Sequence, residues 1–246
     1  MKRAVLPLSL VLGASLLGAG YRSATAGEAP DSPGIHESDA GSIGRALGFV
    51  GPVRRPGEDR EAVKRKLHEE EGGTYIDEIL LERDSALARW PDRDTPLSVW
   101  IKPTSNIAGF DTAYVGRVKD AFREWDDVDL PIHFRFVRDS ARAEVHVTWL
   151  DHFKEPISGR TRWTRDDNWN ITNADIVLAV HHHGGEQLDE DAMRAMAMHE
   201  IGHLLGLDHT TDASSIMAPV VRVRELSAAD RATAQLLYSL PAGPVR

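Results

Sequence analysis

At 246 residues, with 41% hydrophobic and 27% charged residues, the chain is long enough for one domain of ordinary size and something extra. Its formal charge of −9 argues against nucleic acid as a partner. It contains no cysteine, which excludes disulfides and lipid attachment at a mature N-terminal cysteine.

The extra lies at the start. Lys2 and Arg3 precede an uncharged run over 4–20, rich in Leu, Val, Ala and Gly, and Ala24-Thr25-Ala26 follows. This is the pattern of a secretory signal peptide over residues 1–26, cleaved before Gly27, and it implies a secreted or periplasmic protein. Read instead as an uncleaved anchor, the run is short for a ~30 Å hydrocarbon core and is interrupted by Pro7 and several glycines. No other segment is apolar enough to span a bilayer, so no stable membrane span is expected after cleavage. Removing the leader's three cations takes the charge from −9 to near −12.

Residues 27–73 have no hydrophobic period long enough for a domain. Pro30, Pro33, Pro52 and Pro56 mark a linker, and GEDREAVKRKLHEEE is helix-like but almost without an apolar face. The segment reads as a flexible pro-region or tether, with His36 and His68 solvated. A folded domain is expected over 74–246. Its first strand signals come at 74–81 and then in ARWPDRDTPLSVWIKP, where Leu97, Val99 and Ile101 alternate with Ser98 and Trp100 between prolines.

Asp111 or Thr112 can cap a helix whose apolar positions Tyr114, Val118, Ala121, Phe122 and Trp125 fall on one face. Ile132, Phe134 and Phe136 alternate next, as do Val145, Val147 and Trp149, giving two further strands with His133 and His146 on the opposite sides as structural or exposed residues. A fourth strand at 175–180 is almost continuously apolar and so buried on both faces. Before it, DDNWNITNAD groups Asp166, Asp167, Asn168, Asn170 and Asn173, side chains that favour turns and that also offer oxygen ligands. After it, His181, His182 and His183 read as a polar loop at a strand end, with metal binding as the alternative.

The helix expected over 188–205, capped by Asp189 and buried along Met193, Ala197, Ile201 and Leu204, carries HEIGHLLGLDH at 199–209. His199 and His203 are four apart, so on a helix their imidazoles lie on one face and can grip one ion. Gly206 stands where the chain must turn back with positive φ, and His209 can return as third ligand. Three neutral imidazoles leave one tetrahedral position on a single Zn²⁺ for water, the arrangement of a catalytic site. Glu200, about 100° around the helix from His199, can reach that water as general base. In the last helix Ser227 and Asp230 have the spacing of a capping box.

These residues carry a resemblance. HEIGHLLGLDH fits the metzincin pattern H-E-x-x-H-x-x-G-x-x-H, and Met217 in SSIMAP stands where that clan has its Met-turn. The GLDH ending, the short gap to Met217 and the stretch LSAADRATAQLLY make the chain most similar to the matrixins, the class that includes the matrix metalloproteases. Astacins and serralysins fit less well, because they carry a tyrosine where this chain has Pro219.

The resemblance implies an α/β (α+β by some schemes) catalytic domain: a twisted, mostly parallel sheet with an antiparallel edge strand, an active-site helix and a C-terminal helix. GRTRWTRDD has the place of that edge strand, which pairs with extended substrate. Its arginines also suit an edge protected from aggregation. Met198, Pro219, Val220 and Val221 correspond to the lining of the substrate pocket, with valine where many matrixins have tyrosine. Matrixins bind structural calcium in loops like 166–173. Their second zinc needs a histidine and aspartate spacing that this chain lacks. Their pro-regions commonly silence the zinc with a cysteine, and this chain has none. Asp230 matches a family aspartate that can pair with a mature N-terminus, although Ala229 replaces its acidic neighbour.

The function expected is that of a monomeric, secreted, zinc-dependent endopeptidase acting on protein or peptide. The alternative is a zinc-stabilised peptide binder, or a narrow-target, self-processing protein with little general proteolysis.

Overall fold

The structure, a computed structural model, describes residues 73–83 and 85–245. The expected leader, the linker up to residue 72, His36 and His68 lie outside the described residues.

The described chain opens with helix α1 (Ile76–Glu82), not with the strand expected over 74–81. The apolar residues Ile76, Ile79 and Leu80 are spaced three and four apart, a helical period, and all three are buried. Next come β1 (Ala86–Leu87), β2 (Leu97–Ile101) and helix α2 (Ala113–Asp126). Tyr114, Val118, Ala121, Phe122 and Trp125 form the buried stripe of α2 as their spacing requires. Asp111 Oδ1 accepts from Ala113 N at 2.8 Å at its start.

Strands β3 (Phe134–Phe136), β4 (Val145–Leu150), β5 (Gly159–Arg165) and β6 (Ile171–Ala179) complete a five-stranded sheet ordered β3-β2-β4-β6-β5. All neighbours are parallel except β5, which runs antiparallel to β6 at one edge. The fourth strand is longer than its apolar run because residues from Ile171 onward pair with β5.

Helix α3 (Glu190–Leu205) packs along α2 and against β5 and β6. Twelve of its 16 residues are buried, so it has no apolar stripe and no solvated face to speak of. Asp189 caps it, its side chain accepting from Ala192 N at 2.6 Å. Its last carbonyls, which have no helical partner, receive side chains from elsewhere: Trp90 Nε1 donates to Leu204 O at 3.0 Å and Tyr238 Oη to Leu205 O at 3.1 Å. Helix α4 (Ala228–Ser239) and β7 (Gly243–Pro244), paired with β1, close the chain. Among the described residues no helix is long and apolar enough to cross a membrane.

Candidate active site

Helix geometry places His199 and His203 on the same side of α3. At Gly206 the backbone turns left-handed, with φ of 99°, and a Cβ there would stand 2.1 Å from Ala88 O, so both conformation and space demand glycine. The chain then reverses and brings in His209. His199 Nε2 lies 3.1 Å from His203 Nε2 and 3.3 Å from His209 Nε2.

The contact between His199 and His203 is not a hydrogen bond. His199 Nδ1 lies 2.7 Å from Ile216 O and His203 Nδ1 lies 3.0 Å from Leu207 O. A carbonyl only accepts, so both Nδ1 atoms carry the proton and both Nε2 atoms present bare lone pairs. Burial, reinforced by the neighbouring imidazoles, holds His199 well below the usual histidine range, and burial with His209 takes His203 down to about 3. His209 is lowered as well, chiefly by burial. Three neutral imidazoles with their Nε2 atoms gathered this closely fit a small divalent cation. Their spacing is close to the ~3.3 Å edge of a tetrahedron with ~2.05 Å zinc–nitrogen bonds. Among the described residues they are the one group of three or more such side chains placed to hold a metal.

Glu200 is 3% exposed on the same helix. Thr161 Oγ1, from β5, lies 2.7 Å from Glu200 Oε2 and 2.9 Å from its backbone carbonyl, so one hydroxyl proton is shared between them. Burial pushes the Glu200 carboxyl up to about 7, against the opposing effects of the Thr161 hydrogen bond and the Arg160 charge. Gly159 makes room for this side chain: a Cβ there would come within 2.3 Å of Glu200 Oε1. Neither Gly159 nor Thr161 stands out in the sequence, where GRTRWTRDD is noticed for its arginines. Their two-residue spacing on a strand, which puts both on one face, was the available signal.

Met217 is fully buried beneath the helix, and its Sδ occupies the space a Cβ on Gly202 would need, 2.2 Å away. The turn that carries it is anchored by Asp230, itself fully buried. One carboxylate oxygen accepts from Tyr75 Oη at 3.0 Å and from the Ser215 hydroxyl. The other accepts from Ile216 N at 3.0 Å and from Ser227 N and Oγ, each at 2.7 Å. The capping box is therefore present, and the same side chain also holds the turn whose Ile216 carbonyl orients His199.

The pocket candidates divide. Met198 and Val221 belong to the core, 0% and 2% exposed, whereas Pro219 and Val220 are half-buried. The other histidines keep apart from the triad. His181 Nδ1 contacts Asp151 at 2.8 Å, His182 Nδ1 contacts Ser158 Oγ at 2.9 Å and His183 Nδ1 contacts Phe153 O at 3.1 Å. His133 pairs with Asp126 and His146 with the Ser140 carbonyl. In the 166–173 loop, Asp166 accepts from Asn168 N, Asn170 N and Asn170 Nδ2. The Asn170 amide, more than any other group, holds its carboxyl below the usual range. These bonds close a turn.

The family model described as matrixin matches residues 148–239. Among curated proteins, the chain is 30% identical to metalloendoproteinase 5-MMP of Arabidopsis thaliana over 175 residues, covering 61% of this chain and 45% of that protein. It is 30% identical to stromelysin-3 of Rattus norvegicus over 143 residues, 50% of this chain and 26% of that protein. It is 34% identical to matrix metalloproteinase-16 of Homo sapiens over 104 residues, 40% of this chain and 15% of that protein. The aligned part thus spans less than half the length of these relatives.

Proposed function

We propose that this matrixin-like metzincin is a zinc-dependent endopeptidase, with His199, His203 and His209 holding one Zn²⁺ and Glu200 serving as general base. The observation that carries the reading is the convergence of three histidine Nε2 atoms, two of them fixed as bare lone pairs, beside a buried carboxyl group. A bound zinc ion supplies Lewis acidity, lowering the pKa of a water towards ~7 and polarising the carbonyl under attack.

The chain's own residues do the rest. Glu200 takes a proton from the attacking water as its oxygen bonds to the peptide carbon, and returns it to the departing amine as the carbon–nitrogen bond breaks. A carboxyl lifted to about 7 by burial is suited to both transfers, and the positive ion would draw it back towards the ionised form. Thr161 points the carboxylate. Met217 packs beneath the ligand helix, and the Asp230 network holds the turn from which Ile216 orients His199.

The free edge of β5 supports main-chain pairing with an extended protein or peptide substrate. Of the pocket candidates, Pro219 and Val220 are the ones able to meet a side chain from outside, with Met198 and Val221 behind them in the core. The reading includes export by a signal peptide over 1–26, a pro-region or tether over 27–73, a peptidase domain over 74–246 and action as a monomer, secreted or periplasmic. Structural calcium would fall to the oxygen-rich loop at 166–173, where both Asp166 oxygens already accept hydrogen bonds within the turn. A peptide binder that does not cut would have no use for a buried base held by Thr161 beside an open metal position.

The test is Glu200→Ala, assayed for metal content and for cleavage of a peptide library. Retained zinc with activity down by 10²-fold or more supports the assignment. Near wild-type turnover would show that Glu200 is not the base, and loss of zinc would make its role structural.

A further inference from the structure

We propose that Arg83, together with Glu78, is a positioning residue of the metal site, so that the segment 75–83 is a working part of the centre; the inference rests on the zinc reading above. Helix α1 and Arg83, which follows it, lie more than a hundred residues before the ligands in sequence, yet Glu78 and Arg83 grip the ligand loop 206–211 on both sides of His209.

On one side, Arg83 Nη1 donates to Gly206 O at 2.8 Å and Nη2 to Leu207 O at 3.4 Å, while Nε pairs with Asp208 at 2.5 Å. On the other, Glu78 accepts from Thr210 Oγ1 at 2.9 Å and from Thr211 N at 2.8 Å. The Arg83 side chain is only 11% exposed, and its guanidinium lies over the Trp163 ring of β5, 5.3 Å from the centroid. It joins the edge strand to the metal loop.

Two consequences reach the ligands. Leu207 O, which receives Arg83, also receives His203 Nδ1, so the arginine holds the acceptor that sets the tautomer and ring angle of His203. Gly206 and Leu207 lie in the chain reversal that returns His209, where carbonyls past the helix end need donors from outside the helix. A planar, forked cation can serve two adjacent carbonyls and a carboxylate together. A lysine at this position could not.

The experiment is a zinc titration of the metal-free full chain against a competing chelator, for the wild type, Arg83→Met, Arg83→Lys, Glu78→Gln and the control Leu81→Ala, whose parent residue is 75% exposed on the same helix. Thermal melting of each metal-free form and the visible spectrum of each cobalt-loaded form accompany it. Zinc affinity should fall by about 10- to 100-fold in Arg83→Met, less in Arg83→Lys and Glu78→Gln, and not at all in Leu81→Ala, with an altered cobalt spectrum in the first three. Should Arg83→Met fail to fold, Arg83→Lys and Glu78→Gln decide the matter. Wild-type affinity and spectrum in the folded variants, with only the melting temperature lowered, would overturn the proposal and leave α1 a purely structural brace. A wild type that takes up no zinc would overturn the reading of the site itself.

Discussion

The sulfur of Met217 fills the place a side chain on Gly202 would occupy, 2.2 Å from where that Cβ would stand. A glycine inside a buried helix forgoes about 1 kcal/mol of helix propensity relative to alanine, and here the vacancy lets Met217 pack against the backbone between His199 and His203. Gly202→Ala should therefore destabilise by ~1 kcal/mol net, since overpacking costs about 1–3 kcal/mol. Met217→Ala alone should cost ~2–5 kcal/mol through the cavity it leaves. The double variant should be more stable than the sum of the two by at least ~0.5 kcal/mol, measured by denaturant unfolding. Strict additivity would mean that the two residues do not share this space.

Thr161→Val keeps the shape of the side chain on β5 and removes the hydroxyl that reaches Glu200. Substrate pairing along the strand uses the backbone, so KM should change little, while kcat should fall about tenfold as Glu200 loses its orienting partner. A rise in KM at constant kcat would place Thr161 in substrate binding.

Asp230 receives five donors in a fully buried position, and Asp230→Asn would remove the charge and either set an NH2 against the Ile216 and Ser227 amides or force the Tyr75 and Ser215 hydroxyls to turn round and accept. The expected loss is ~3 kcal/mol of stability, together with weaker zinc binding because Ile216 O would no longer be held against His199. Unchanged chelator competition in a folded variant would show that the turn stays in place without the carboxylate.

Glu144 is the site of a pH prediction. Burial is the largest single influence on it and pushes its carboxyl up, but hydrogen bonds from Arg93 and from Ser98 N and Oγ, with the Arg93 charge, outweigh it and leave the carboxyl below the usual range. A lowered value in the folded state means stability that is complete above the ordinary ~4.3 and lost as pH falls through the lower folded value. Its side chain is 34% exposed, so solvent screening limits the effect. Glu144→Gln should cost ~1 kcal/mol at pH 7, and the gap to the wild type should start to narrow as pH falls below the ordinary ~4.3 and close below the lower folded value. A gap that stayed constant across the whole acid range in which both forms remain folded would mean that the charge of Glu144 contributes nothing.

What the sequence determined by itself was whatever is written at short range. The four-residue step from His199 to His203, the capping by Asp189, the stripe of α2 and the Ser227–Asp230 box are contacts along one element, and their spacing is a consequence of helix geometry. Ile76, Ile79 and Leu80 obey the same geometry, but seven residues are too short a stretch for the helical period to stand out from strand signals in sequence. Tertiary structure alone decided the partners of these residues. Thr161 reaches Glu200 across 39 residues, Tyr75 reaches Asp230 across 155 and Arg83 reaches Gly206 across 123. No periodicity encodes such pairs. A buried polar group must find a partner when water is removed, but which one is set by how helices and strands stack, and that is settled only when the whole core closes.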